Sequence, residues 1–332
     1  MKKLTLLLLA LLYVTLTYAY TERDLLQKQA DINRLKEILV LDRQWVTYPD
    51  YNDRAGWDRF LGTFKDEYIR RGEKRLNYQW QVVKATDYLA FERTGNRQIM
   101  EKPFGANNGA IADLLMAELA EGKGRFVDQL INGVFNACEM TSWALAAHII
   151  VQPSHRALPA YDYPVIDLTS GDLGGLLAWT YHFMRPSFDK VDPEISRRLR
   201  HELQTRILDP YMNNDSFWWM GRNYNGRMLN NWNPWCNSNA LMCFMLLEDN
   251  RDTLAKAVHL TMESVDKFLN YIKADGACEE GPSYWGHAAG KTLDYLELLS
   301  DITGDKVNIF NEPMIKLSLI HISEPTRPLY IS

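Results

Sequence analysis

The sequence predicts an all-α protein, an incomplete ring of helical hairpins of the (α/α) toroid kind, and three observations lead there. Apolar residues recur at three-and-four spacing along most of the chain, as in Val127, Leu130, Ile131, Val134 and Phe135. Period-two alternation of the kind that marks strands is scarce. The helices also fall into two classes. Segments 126–150 and 235–248 are apolar over most of their circumference, whereas 192–208 is heavily charged on one side. Fully apolar helices belong inside and amphipathic ones face water, which a ring with inner and outer helices satisfies.

Taken in order, the periodicity predicts helices near 22–38, 54–71, 77–94, 108–121, 126–150, 170–186, 192–208, 235–248, 252–272 and 283–302. Turn-forming residues separate them: Thr94-Gly95-Asn96, Gly122-Lys123-Gly124, Arg185-Pro186, Leu208-Asp209-Pro210 and Asp275-Gly276. No low-complexity linker, sustained heptad or fixed-period repeat interrupts the pattern.

Both ends read as something other than fold. Lys2 and Lys3, the apolar run Leu4–Val14 and the small-residue site ending at Ala19 form a secretory signal over 1–19. Its apolar run is too short to span a bilayer, and no later stretch approaches that length. The mature chain is therefore expected to be exported, periplasmic or extracellular in a bacterium. At the other end, Leu317–Arg327 (LSLIHISEPTR) reads as translated sequencing-adaptor DNA, so 317–332 is set aside as an artefact. The folded domain is expected over 20–316, cut off on its C-terminal side.

The 332-residue chain has a formal net charge of −5, which argues against nucleic acid as a partner. Cys138, Cys236, Cys243 and Cys278 have apolar neighbours and no CxxC pairing, so buried thiols are expected rather than a metal site.

Polar chemistry concentrates in two segments. In Leu229-Asn230-Asn231-Trp232-Asn233-Pro234-Trp235, Pro234 suits the first helical position and Asn233 the N-cap, which puts the asparagines at a helix start attractive to anions. In the segment from Asp275 to Trp285, a Gly-Pro turn places Tyr284 in the first turn of the next helix. One returning helix separates the two starts, so both emerge at the same end and Asn231 and Tyr284 could face one cleft. Trp232, Trp235 and Trp285 offer faces suited to sugar rings, and an asparagine can donate to a carboxylate without adding charge. If the sugar is a uronic acid, that donation stabilises the charge developing as the C5 proton leaves. Tyr284, with its hydroxyl made more acidic, could take that proton and pass one to the departing O4 oxygen.

These residues resemble polysaccharide lyases of the heparinase II/III type. The similarity runs through FERTGNR (91–97), AEGKGRF (120–126), ACEMTSWALAAH (137–148), NNWNPWCNSN (230–239) and DGACEEGPSYWGHAAG (275–290), of which the last two are the specific ones. Position by position, Tyr284 matches the catalytic tyrosine acting as base and acid, and Asn231, or its neighbour Asn230, the residue that neutralises the uronate carboxylate. The resemblance implies an incomplete toroid followed by a domain of stacked antiparallel β-sheets that supplies a further histidine and holds any zinc. No β-rich segment is present, so part of the active site would lie beyond Lys316. No cofactor is expected in the chain itself, and the expected partner is an acidic polysaccharide.

Other readings stand beside this one. Asn230, Asn231 and Asn233 are also compatible with plain capping, Tyr284 with a core tyrosine, and Glu279 and Glu280 with a helix dipole. On the apolar 126–150 helix, Glu139 and His148 could reach the cleft. His287 shares a helix face with Tyr284. Arg222 and Arg227 suit sulfate or carboxylate, although solvated loop arginines are commoner. A toroid glycoside hydrolase would pair Glu139 with Asp275 or Glu280 across the cleft. A protein that binds polysaccharide without cleaving it is the third alternative.

Overall fold

The computed structural model describes residues 22–223, 228–272, 276 and 284–317, with Trp285 described by its backbone alone. Among these residues every regular element is helical and there is no strand. The expected signal segment 1–19 and nearly all of 317–332 lie outside them.

The first half departs from the expected boundaries for local reasons. Segment 22–38 folds as turns followed by α1 (Ile32–Ile38), with the Asp31 side chain accepting from Arg34 N at its start. Gly62, at φ 50°, splits 54–71 into α2 (Arg54–Leu61) and α3 (Lys65–Glu73). The stretch ahead of α4 (Ala85–Thr94) stays out of helix because Asn107 takes both backbone groups of Gln81, accepting from its N–H at 3.0 Å and donating to its carbonyl at 2.8 Å. Asn107 belongs to α5 (Gln98–Glu121), which runs through Pro103 and begins ten residues before its expected start.

The predicted 126–150 helix is two elements, α6 (Val127–Glu139) and a short α7 (Ala146–Ile149). Side chains from elsewhere take the carbonyls at the break. The Trp143 indole donates to Ala137 O, and Arg206 donates to Met140 O and Thr141 O. Beyond it come α8 (Leu168–Val191), α9 (Pro193–Leu203) and α10 (Asp209–Asn213), the last two joined by a π turn over 204–208. The chain closes with α11 (Trp232–Leu247), α12 (Arg251–Leu269) and α13 (Trp285–Ile302).

Packing centres on α11, which lies against α8, α12 and α13. Most of its residues are buried, as its sequence requires. Glycines on α8 permit the close approach: a Cβ added at Gly174 would sit 2.9 Å from Ile207 Cγ1, and one at Gly175 would sit 3.0 Å from Asn239 Oδ1. Gly72 does the same between α3 and α5, where an added Cβ would meet Ala117 Cβ at 2.2 Å.

The N-terminal segment ties back over the last hairpin. Val40 N donates to Ile302 O at 2.8 Å, and Arg43 Nε donates to Leu246 O. The buried Asp266 carboxylate on α12 accepts from Leu26 N at 3.0 Å and from Gln27 N at 2.9 Å. Asp266→Ala strands these N–H donors, one of them deeply buried, and is expected to cost about 3 kcal/mol. Urea unfolding of the variant measures it. A loss below about 0.5 kcal/mol would mean water replaces the carboxylate.

Among the described residues no helix is long and apolar enough to cross a membrane. Cys138, Cys236 and Cys243 are free and buried, and burial pushes the Cys138 and Cys243 thiols up to about 12. They are inert packing groups rather than nucleophiles. Cys278 lies outside the described residues.

Candidate active site

The N-terminal turn of α11 organises the polar residues, although not as the Pro234 position suggested. The helix begins at Trp232, two residues ahead of Pro234. Asn230 performs the capping, its Oδ1 accepting from Trp232 N at 3.0 Å. Asn231 holds the cap position, 5% exposed, and its side chain makes no capping bond to the helix. Proline is still accommodated, because the first turn's N–H groups have no intrahelical acceptor.

Asn233, expected as N-cap and as a substrate contact, is fully buried. Its Nδ2 donates to Trp219 O at 2.7 Å and to Ser264 O at 2.9 Å. One helical turn on, Asn237 Nδ2 donates to Asn233 O and to Ser264 Oγ, while Asn237 Oδ1 accepts from Tyr211 OH. These bonds fasten α11 to α12 and α10, so Asn233 supports the turn rather than the substrate.

Two aromatic rings project from this turn into different surroundings. Trp232 lies 4.6 Å from the His148 ring and 5.4 Å from Trp218, centroid to centroid. His148 Nδ1 is 2.6 Å from Asp167 Oδ2, and its Nε2 is 3.3 Å from Arg97 Nη2. A guanidinium can only donate, so Nε2 accepts and the ring proton sits on Nδ1, facing Asp167. Asp167 is fully buried and also accepts from Leu145 N at 3.1 Å and from Ser170 N at 2.7 Å, capping α8. His148 thus reaches the site from α7, not from a long inner helix.

Trp235 stacks on His287 at 5.3 Å and 14°, and His287 in turn lies 5.7 Å from the Tyr284 ring. Tyr284 occupies the N-cap position of α13 and is 49% exposed, which excludes a core role. The Trp235 indole donates to Asp172 Oδ1 at 2.7 Å, Asn239 Nδ2 donates to the same oxygen at 2.9 Å, and Lys291 Nζ lies 5.4 Å from the Trp235 ring centre. Asp172 reaches solvent, yet the surrounding protein desolvates it enough to raise its carboxyl above the usual range, against the pull of Trp235, Asn239 and Lys291. Beside Trp235 opens a groove of about 370 Å³, with Asn239 and Lys291 on its wall.

The structure therefore brings Trp232 with His148, and Trp235 with His287 and Tyr284, to the α11 turn that begins at Asn230 and Asn231. Other candidates are engaged elsewhere. Glu139 is exposed at the end of α6 and pairs with Arg198 at 3.3 Å. Arg222 pairs with Asp215 at 2.7 Å and donates to Tyr211 O at 2.8 Å, so it is a structural anchor rather than a solvated loop arginine. Arg227, Asp275, Glu279 and Glu280 lie outside the described residues, as does the Trp285 side chain.

Sequence reasoning missed Arg97, Asp167 and Asp172. Asp167 carried a readable signal, since Asp167 and Ser170 form a capping box in which Ser170 Oγ accepts from Asp167 N at 2.8 Å. Arg97 falls within the FERTGNR segment with no local feature marking a role. Among the described residues no three His, Cys, Asp or Glu side chains converge to hold a metal ion. No family model matches the chain, and no curated protein matches it in sequence.

Proposed function

We propose that this chain is the helical, toroid-type portion of an exported polysaccharide lyase of the heparinase II/III type, cleaving uronic-acid-containing polysaccharide by β-elimination. The observation that carries the reading is the placement of Tyr284 at an exposed lip, linked through His287 to Trp235 on the helix whose first turn bears Asn230 and Asn231.

In this reading a uronate ring lies against Trp235 with its carboxylate toward Asn231. The asparagine amide donates to the carboxylate and stabilises the negative charge that builds at C5. Tyr284 takes the C5 proton, the C4–O4 bond breaks as the C4–C5 double bond forms, and the departing O4 leaves with a proton from Tyr284. His148, held in place through Asp167 on Nδ1 and Arg97 on Nε2, and Trp232 contact the neighbouring sugar. The hydrolase alternative depended on Glu139, which is occupied by Arg198.

The test starts from source DNA read past the codon for Lys316, where the frame is expected to continue into strand-patterned sequence with a further histidine. The product of that whole gene is expected to release a conjugated, ultraviolet-absorbing unsaturated uronide from uronic-acid polysaccharides. Saturated ends carrying new reducing groups would overturn the lyase reading and favour hydrolysis. Calorimetric binding with no cleavage would make it a binding protein.

A further inference from the structure

The groove beside Trp235 changes character along its length. Where it meets the site it is cationic and aromatic, with Lys291 by the Trp235 ring and bonded to Asp294 at 3.1 Å. Farther in, α13 presents Asp294, Glu297 and Asp301 along one face of the groove, at three- and four-residue spacing. Glu297 and Asp301 form no ion pair among the described residues, and both are exposed. Burial and the neighbouring Asp305 raise the Asp301 carboxyl.

Opposite this acidic wall stand aromatic rings. Tyr48, 43% exposed, meets Trp179 edge to face at 5.3 Å, and Trp45 meets Trp179 at 6.0 Å. Trp45 lines the groove, is 8% exposed, and its indole N–H has no acceptor among the described residues. A buried donor without an acceptor is costly, so this indole is held in place by the packing around its ring.

Aromatic faces and carboxylate acceptors match the hydroxyl-rich, apolar-faced surface of an uncharged pyranose. The same wall disfavours an anion, because Glu297 and Asp301 form no ion pair among the described residues and Lys291 is already bonded to Asp294. We propose that this arm of the groove is a subsite for an uncharged, unsulfated sugar, so the substrate alternates uronate units with neutral ones and carries no sulfate at that position. The assignment rests on the lyase reading for which end of the groove holds the uronate.

Titration calorimetry tests it with two tetrasaccharides of equal length, each alternating uronic acid with hexosamine: one N-acetylated and unsulfated, the other fully sulfated. The unsulfated form is expected to bind at least about tenfold tighter. The paired change Glu297→Gln with Asp301→Asn, at exposed positions, is expected to shrink that preference to about threefold or less, and Tyr48→Ala to weaken the unsulfated form several-fold. If both sugars bind wild type equally, or the preference survives the charge changes, the subsite assignment falls while the lyase reading stands. If neither sugar binds, the subsite assignment falls, and the unsaturated product from other uronic-acid polysaccharides decides the lyase reading.

Discussion

Tyr284→Phe in the whole gene product is expected to lower kcat for unsaturated-product release by at least about 10³-fold, while calorimetric affinity for the polysaccharide changes by less than about threefold. The proposed reaction moves two protons through one phenolic oxygen, which phenylalanine lacks. His287 touches the Tyr284 ring but sits on its helix side, stacked on Trp235. Phenylalanine preserves that ring contact, and Tyr284 caps no helix N–H, so the variant keeps its fold. Comparing kcat with affinity separates lost chemistry from lost binding. Turnover by the Phe variant within about tenfold of wild type would remove Tyr284 from the reaction and return the carboxylates to consideration, among them Asp172, which holds the Trp235 indole.

How much of this was legible in the sequence follows from which interactions are local. Helical character is local: periodicity announced α11, α12 and α13 to within three residues at each end, and charge segregation set α9 apart from the buried α11. The two segments that bear the site were legible as well, because the asparagine cluster and the Gly-Pro turn mark helix starts whatever the tertiary context. Failures arose where distant side chains override the backbone's local preference. Apolar spacing runs unbroken from Val127 past Trp143, yet Arg206 takes the carbonyls after α6 and the helix stops. The expected start at 108 also failed, because α5 begins ten residues earlier and runs through Pro103. Asn233 looked like a cap by position alone, whereas Ser264 on α12 decides its role. Arg97 and His148 are 51 residues apart and meet only in the folded chain.

That meeting makes Asp167→Asn the more discriminating substitution. Asparagine is as good an N-cap as aspartate, so its single oxygen can keep the bond from Ser170 N that starts α8. Its amide NH₂ then faces two donors, the Leu145 N–H and the His148 Nδ1–H, which wild-type Asp167 Oδ2 accepts together. His148 can accept the amide only by moving its proton to Nε2, where the Arg97 guanidinium also donates. Either the Arg97 bond breaks or the ring turns away from Trp232. The stranded Leu145 N–H and the lost charged bond are expected to cost about 2 kcal/mol of stability, and misplacement of the imidazole about a hundredfold in kcat/KM. Nitrogen NMR of His148 reads the tautomer directly, independently of any substrate. It should report a proton on Nδ1 in wild type and on Nε2, or exchange between the two, in the variant. An unchanged tautomer with wild-type turnover would show that Asp167 serves only to cap α8. A shifted tautomer with unchanged turnover would confine His148 to a structural role and leave Tyr284 and Asn231 to carry the reaction.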